Sequence, residues 1–215
     1  MSEFVPINMD FGAPVKIDVA SAEWIWSPGG QVERRMLERE RPESGHTTSI
    51  VRYPAGSKFP EHVHSGGEEY LVLEGVFSDE HGDYPPGTYV RNPIGSNHSP
   101  FSDEGCVIFV KLWQMGEAEE HRTLVRGEGA WDAHGPGLSR RMLYVDEHEE
   151  VTLLRAEAAV RVALSGAEAL VVTGEVRLDE HTYGATSWLR APVDEVFELV
   201  LTPGSVLWLK CGHLG

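Results

Sequence analysis

Cysteine is nearly absent. Cys106 and Cys211 are the only two in 215 residues and lie about half the chain apart. Two thiols build neither a disulfide framework nor a thiolate zinc cluster, so a reducing compartment is expected. Basic residues are also scarce, 18 Lys and Arg against 34 Asp and Glu, for a net charge of −16. That balance repels phosphate backbones and anionic bilayer surfaces, so neither nucleic acid nor membrane is an expected partner. No apolar run approaches the ~18 residues that span a bilayer. The first twenty residues carry Glu3, Asp10 and Asp18 without a basic stretch leading into an apolar block. No signal peptide is read there, and the cytoplasm is the expected location. Helical periodicity is confined to one short stretch, Glu117–Arg122, which reads better as a linker.

What is present is 41% hydrophobic residues, 23 glycines and 13 prolines. Short runs rich in Val, Leu, Ile and aromatics recur at Thr47–Tyr53, Glu69–Leu73, Thr88–Arg91 and Val107–Trp113. Turn formers separate them: Pro54–Gly56, Ser65–Gly67, Gly82–Gly87, Asn92–Ser96 and Asp103–Gly105. Many short strands at ~8–12-residue spacing predict an all-β sandwich or barrel.

The chain also repeats itself. With Glu69 placed over Glu168, ten identities fall in 44 ungapped positions, where chance supplies only a few. They include Gly75/Gly174, Tyr84/Tyr183, Arg91/Arg190, Pro93/Pro192, Gly105/Gly204 and Lys111/Lys210. Upstream, Arg34–Leu37 matches Arg140–Leu143. Two homologous β modules are predicted, joined near Met115–Glu120: an arm at 1–12, a first module at 13–115 and a second at 116–215. The arm is a candidate for adding an edge strand to a neighbouring sheet.

The first module holds Gly56-x5-His62-x-His64-x3-Glu68-x6-Gly75, then Gly87-x5-Pro93-x-Gly95-x2-His98. Residues two apart in a strand share a face, which aligns His62 with His64. The Ser65-Gly66-Gly67 turn lets Glu68 start a strand that returns beside them. Three neutral imidazoles and a carboxylate meeting inside a barrel form a divalent-metal site with N and O donors. Without an ion, each unpaired polar group buried there costs several kcal/mol.

These residues match both signature motifs of the cupin superfamily. The family asparagine, which is not a ligand, is replaced by Ser102. Three segments, Glu68–Gly75, Asp79–Tyr84 and Gly87–His98, resemble the cupin domain of ChrR-type anti-sigma factors across about residues 45–112. The resemblance implies two tandem cupin barrels (double-stranded β-helix, or jelly roll). It also implies one divalent metal held by His62, His64, Glu68 and His98. Zinc is the expected ion, with iron, manganese and nickel as alternatives. Glu69 is the competing acid, and the six-residue spacing to Gly75 favours Glu68. The stretch before the match has no cysteine and one histidine, His46, where the regulators carry a helical zinc domain that binds the sigma factor. Sigma-factor binding is therefore not expected.

Carrying the repeat offset onto the ligands gives Arg161, Ala163, Ala167 and Phe197 in the second module. A cupin without metal ligands, kept for packing, is the expected reading; an apolar pocket at Trp188 and Phe197 is the competing one. Tyr70, Arg91, Phe101 and Cys106 are the candidates for lining the metal pocket. For Arg52 and Arg91 surface ion pairing is the simpler role, and for Cys106 a small buried hydrophobe. Phe59, Tyr70, Tyr89, Phe101 and Trp113 are read mainly as core. His81 and His181 read as solvated hairpin tips, with Asp79 and Glu80 beside the first able to hold only an adventitious cation. Glu117–Glu120 reads as a solvated linker.

Two functions follow. One is a small-molecule metalloenzyme, dioxygenase-like with iron or hydrolase-like with zinc. The other is a non-catalytic metallocupin acting as a sensor or transcriptional regulator. The enzyme reading stands ahead because the regulators' effector domain is missing. A small molecule at the metal is the expected partner, and a homodimer is the one protein assembly the reading allows.

Overall fold

The computed structural model describes residues 4–18, 22–117 and 119–214. Among these residues every regular element is a β-strand. No helix is long and apolar enough to cross a membrane, which says nothing of β-barrels. The chain divides into two compact units, one drawn from Met1–Met9 and Glu23–Gly129, the other from Asp10–Ala22 and Ala130–Gly215.

In the first unit a seven-stranded antiparallel sheet runs in the order Thr123–Val125, Tyr89–Asn92, Glu68–Gly75, Cys106–Leu112, Thr47–Tyr53, Glu33–Arg39, Ile25–Trp26. A four-stranded sheet (Ser57–Lys58, Phe101–Ser102, Phe77–Asp79, Gly82–Tyr84) and the ribbon of His62–Val63 with Asn97–His98 complete it. The second unit repeats the order with Val15–Ile17, Trp188–Ala191, Ala167–Thr173, Val206–Cys211, Glu150–Ala156, Leu138–Val145 and Asp132–Ala133. Its four-stranded sheet joins Val160–Leu164, Phe197–Leu201, Glu175–Leu178 and His181–Gly184. The repeat in the text is thus a repeat of strand order.

The outermost strands cross the sequence boundaries. Thr123–Val125 lies past residue 115 yet pairs with Tyr89–Asn92 of the first unit. Val15–Ile17 lies near the N-terminus yet pairs with Trp188–Ala191 of the second. The edge strand added by the N-terminal region is therefore residues 15–17, while Ile7 makes only an isolated bridge to Arg39.

Strand alternation sorts the side chains. Along Glu68–Gly75, Glu68, Tyr70 and Val72 turn inward, and Tyr70 and Val72 join Val51, Tyr53, Phe77, Val90, Ile108 and Val110 in the core of the first unit. Each such side chain contributes ~1.5–3 kcal/mol by leaving water. Three of the repeat identities form a charged row on the other face. Glu69 is the cross-strand neighbour of Arg91 and Lys111, and Glu168 that of Arg190 and Lys210. Opposite charges side by side on a sheet are favourable, which explains why both copies keep this row. Gly75 sits at φ 67°, and a Cβ there would run into the Gly105 carbonyl, so the crossing of these two strands requires glycine.

Candidate metal centre

The ribbon of the first unit makes His98 the direct cross-strand partner of His62. His64 follows at the end of the same segment, where its N–H donates to the Ser96 carbonyl and its own carbonyl accepts from Gly95 and Gly67. Gly67, at φ 74°, closes the turn and delivers Glu68 to the next strand. The three imidazoles stand edge to face, with ring centroids 4.8–5.1 Å apart. One ligating atom from each lies within 4.8 Å of the others, the only such His, Cys, Asp or Glu cluster among the described residues.

Hydrogen bonds at the back of two rings set which nitrogen faces inward. His62 Nδ1 donates to the Pro60 carbonyl at 3.1 Å, and His98 Nδ1 donates to Asp79 Oδ2 at 3.2 Å. In the neutral tautomer each therefore presents the Nε2 lone pair. Nε2 of His64 and of His98 are buried and have no hydrogen-bond partner. They lie 3.4 and 3.6 Å from Glu68 Oε2. That oxygen accepts from Asn92 Nδ2 at 2.9 Å. The neutral His98 lone pair aimed at a carboxylate repels it, and burial deepens the penalty on both unpartnered nitrogens. A cation among them removes both costs, so the donor set fits a divalent ion.

Titration follows from the surroundings. Burial dominates at His64 and lowers its pKa below the ordinary imidazole value; the Glu68 charge opposes this and the neighbouring histidines add to it. At His98 burial also acts downward, but the Asp79 hydrogen bond with the Glu68 and Asp79 charges outweighs it, and the pKa is raised. Burial pushes Tyr53 and Tyr70 well above the usual phenol value, and the Glu68 charge adds to both. Both hydroxyls stay protonated. The Tyr70 hydroxyl has no hydrogen-bond partner among the described residues.

A cavity of about 490 Å³ opens on the cluster. His62, His64 and Glu68 meet it on one side, Val32, Val51, Tyr53, Phe59, Ile108, Leu112 and Trp113 form apolar walls, and Arg34 and Glu43 lie at it as an exposed bidentate pair.

Four residues expected along this pocket are not on its wall. Tyr70 faces inward but is covered by Phe77 and Tyr84, with ring centroids 5.0 and 6.2 Å away. Cys106 lies in the same packed core, and burial raises its thiol pKa to about 11, as suits a small hydrophobe. Phe101 belongs to the four-stranded sheet, its ring beneath the Lys58 ammonium. Arg91 is on the outward parity. It is only 1% exposed, joined to Glu69 and gripped by Glu119 through two bonds of 2.8 and 2.6 Å. It is a buried ion pair rather than a surface one, and Glu119 is part of the fold rather than a solvated linker. Arg52 pairs with Glu33. Glu69 accepts from Tyr89 and Arg91, away from the histidines.

Asp79, which the sequence offers only for an adventitious cation, supports the site, as do Asn92 and Arg122, which the sequence does not single out. Asp79 is buried rather than a loose hairpin carboxylate. Against the burial that raises its pKa, hydrogen bonds from His98, Tyr84 and the His81 N–H, with Arg122 nearby, hold it below the usual value. The available signal was parity, since Asp79 stands two residues after the inward Phe77. His81 and His181 are exposed at their hairpins, and His181 contacts Asp18.

In the second unit Phe197 pairs with Leu164, as His98 pairs with His62. The ungapped offset to Arg161 and Ala163 therefore slips, because the turn before Ala167 is shorter; Arg161 and Ala163 oppose Val200 and Glu198 instead. Leu164, Ala167 and Phe197 belong to a packed apolar core. Trp188 is on the other face, donating to Glu168, so it does not wall a pocket with Phe197.

Comparison with known proteins agrees with this fold. Residues 13–116 match the family model described as the ChrR cupin-like domain. A search of curated proteins finds no match. Among solved structures, a candidate dioxygenase from Nostoc punctiforme shares 14% identity at a TM-score of 0.71, covering 93% of this chain and 82% of its own. Pirin YhhW from Escherichia coli, solved with nickel(II), shares 13% at 0.67, covering 93% and 99%. A salicylate 1,2-dioxygenase mutant from Pseudoaminobacter salicylatoxidans, solved with gentisate, shares 12% at 0.65, covering 95% and 83%. Identities this low speak for the fold alone. With these motifs and this strand order, residues 13–116 match the ChrR cupin-like domain, and the chain as a whole has an all-β, cupin-like fold.

Proposed function

We propose that the first unit binds one divalent metal ion through His62, His64, His98 and Glu68, and that the protein is a small-molecule metalloenzyme, dioxygenase-like or hydrolase-like. The observation that carries this reading is the pair of buried, unpartnered Nε2 atoms of His64 and His98 facing the Glu68 carboxylate. A divalent ion there supplies a Lewis-acidic centre able to take an oxygen donor of the substrate. The protein does the rest. The apolar walls receive the body of the ligand and exclude water, and the protonated Tyr53 hydroxyl offers a hydrogen bond at the cavity wall. Zinc is the ion proposed by the family likeness; pirin YhhW was solved with nickel. The second unit, without ligands at Leu164, Ala167 and Phe197, is proposed to be metal-free. A cytoplasmic location belongs to the same proposal.

The test is elemental analysis of protein purified without added metal, alongside His62→Ala and His98→Ala. One equivalent per chain, lost in both variants, is expected. Two equivalents, or full retention in either variant, rejects the assignment. The family match favours a second reading, a non-catalytic sensor. Metal-loaded protein that turns over neither enolisable substrates with dioxygen nor hydrolysable esters, yet binds small ligands, selects that reading.

A further inference from the structure

Arg122 stands just before the strand Thr123–Val125, in the stretch that the sequence presents as a linker. That strand pairs Thr123 with Arg91, so the same register sets Arg122 opposite Asn92. The guanidinium reaches in two directions. Its Nε donates to Asn92 Oδ1 at 2.9 Å, and Asn92 Nδ2 donates to Glu68 Oε2 at 2.9 Å. Its Nη2 donates to the Tyr84 hydroxyl at 2.7 Å, which donates to Asp79 Oδ1 at 2.7 Å, and Asp79 Oδ2 accepts from His98 Nδ1. The same Nη2 is 3.7 Å from Asp79 Oδ2.

Each link also fixes an orientation. Because Arg122 only donates, Asn92 must turn its oxygen to the arginine and its NH₂ to Glu68. Because Tyr84 receives from Arg122, its proton is free for Asp79. One cation thus stands behind two donors that come from different strands. The second unit has no such device. Its added strand pairs Val15 with Arg190, which leaves Pro14 and Ala191 where the first unit has Arg122 and Asn92.

We propose that Arg122 is a positioning residue of the metal centre, holding Glu68 through Asn92 and His98 through Tyr84 and Asp79. This rests on the metal-binding reading above. Such supporting contacts typically change metal affinity ~10–100-fold. Lysine, a point donor without the fork, can serve one arm but not both.

The experiment loads cobalt(II) into wild type, Arg122→Ala, Arg122→Lys and Tyr84→Phe. Affinity is measured by chelator competition, the ligand-field absorption spectrum is recorded, and melting of the metal-free proteins is followed alongside. Arg122→Ala is expected to bind at least tenfold more weakly with an altered spectrum, Arg122→Lys to fall between it and wild type, and Tyr84→Phe to weaken binding through the His98 arm alone. The spectral change marks a ligand-geometry role, since a loss of fold stability alone leaves the bound spectrum intact. Should Arg122→Ala not fold, Tyr84→Phe, which deletes one oxygen, decides on the same readouts. Wild-type affinity and spectrum in the folded variants overturn this inference while leaving the metal site standing. A wild type that takes up no cobalt overturns the metal reading and this inference with it.

Discussion

Glu68 and Glu69 are neighbours on one strand, and exchanging each for glutamine should give opposite phenotypes. Glu68→Gln removes the carboxylate that faces His64 and His98. The Asn92 bond can persist to the amide oxygen, so the metal-free fold should melt near wild type. Metal affinity should fall by at least the ~10–100-fold that loss of a mere supporting partner costs. Glu69→Gln strikes the other face. Glu69 accepts from Tyr89 at 2.7 Å and Arg91 at 3.2 Å, and an amide can serve only one of these donors with its oxygen. Breaking a buried pair costs ~3–5 kcal/mol when an ion is left alone. Arg91 still keeps its two bonds to Glu119, so the loss should be nearer the ~1–3 kcal/mol of an unsatisfied buried group. At ~2–4 °C per kcal/mol for a chain this size, the melting temperature should drop by several degrees while metal binding holds. Chelator competition and a thermal melt on both variants read the two effects. A Glu69→Gln protein that loses metal while Glu68→Gln keeps it refutes the assignment of faces on which the site is built.

Three further outcomes are expected. Metal occupancy should decline as pH falls through ~6.5, because ligation needs neutral imidazoles. His98, whose pKa Asp79 and Glu68 raise, should protonate before the burial-depressed His64, and occupancy unchanged at pH 4 would exclude histidine ligation. Gly75→Ala places a side chain at positive φ against the Gly105 carbonyl and should cost ~1–3 kcal/mol in a denaturant melt, an unshifted midpoint showing that the crossing tolerates a Cβ. Cys106, buried with its thiol pKa near 11, should resist iodoacetamide at pH 8 in the native state and react once unfolded, so rapid native labelling would contradict its place in the core.

Local pattern and motif spacing were enough to read an all-β chain, a strand-order repeat and the cluster of His62, His64 and His98. Strand alternation is a two-residue property, turns announce themselves by Gly and Pro, and the ligand spacing follows from one short ribbon and one tight turn. The same text misled wherever a residue's role depends on what crosses it from far along the chain. Arg91 was offered to the pocket because it lies near the motif, yet its parity turns it outward onto Glu119, 28 residues away. Asp79 and Arg122 look like surface charges in isolation. They become supports of the centre only because separate strands bring Tyr84, Asn92 and His98 to them. The offset that reached Phe197 without gaps failed at Arg161, because a shortened turn is visible only in the ladder register.

By itself, then, the sequence determined the fold class, the duplication and the candidate ligands: strand alternation and turns rest on spacings of a few residues, whereas the repeat came from a 99-residue self-match and His98, 36 residues past His62, from motif spacing. Tertiary structure alone decided which end of the barrel is hollow and which edge strand completes which unit. Those choices belong to pairings between distant segments, and hydrogen-bond partners at that range leave no period or spacing in the chain to read.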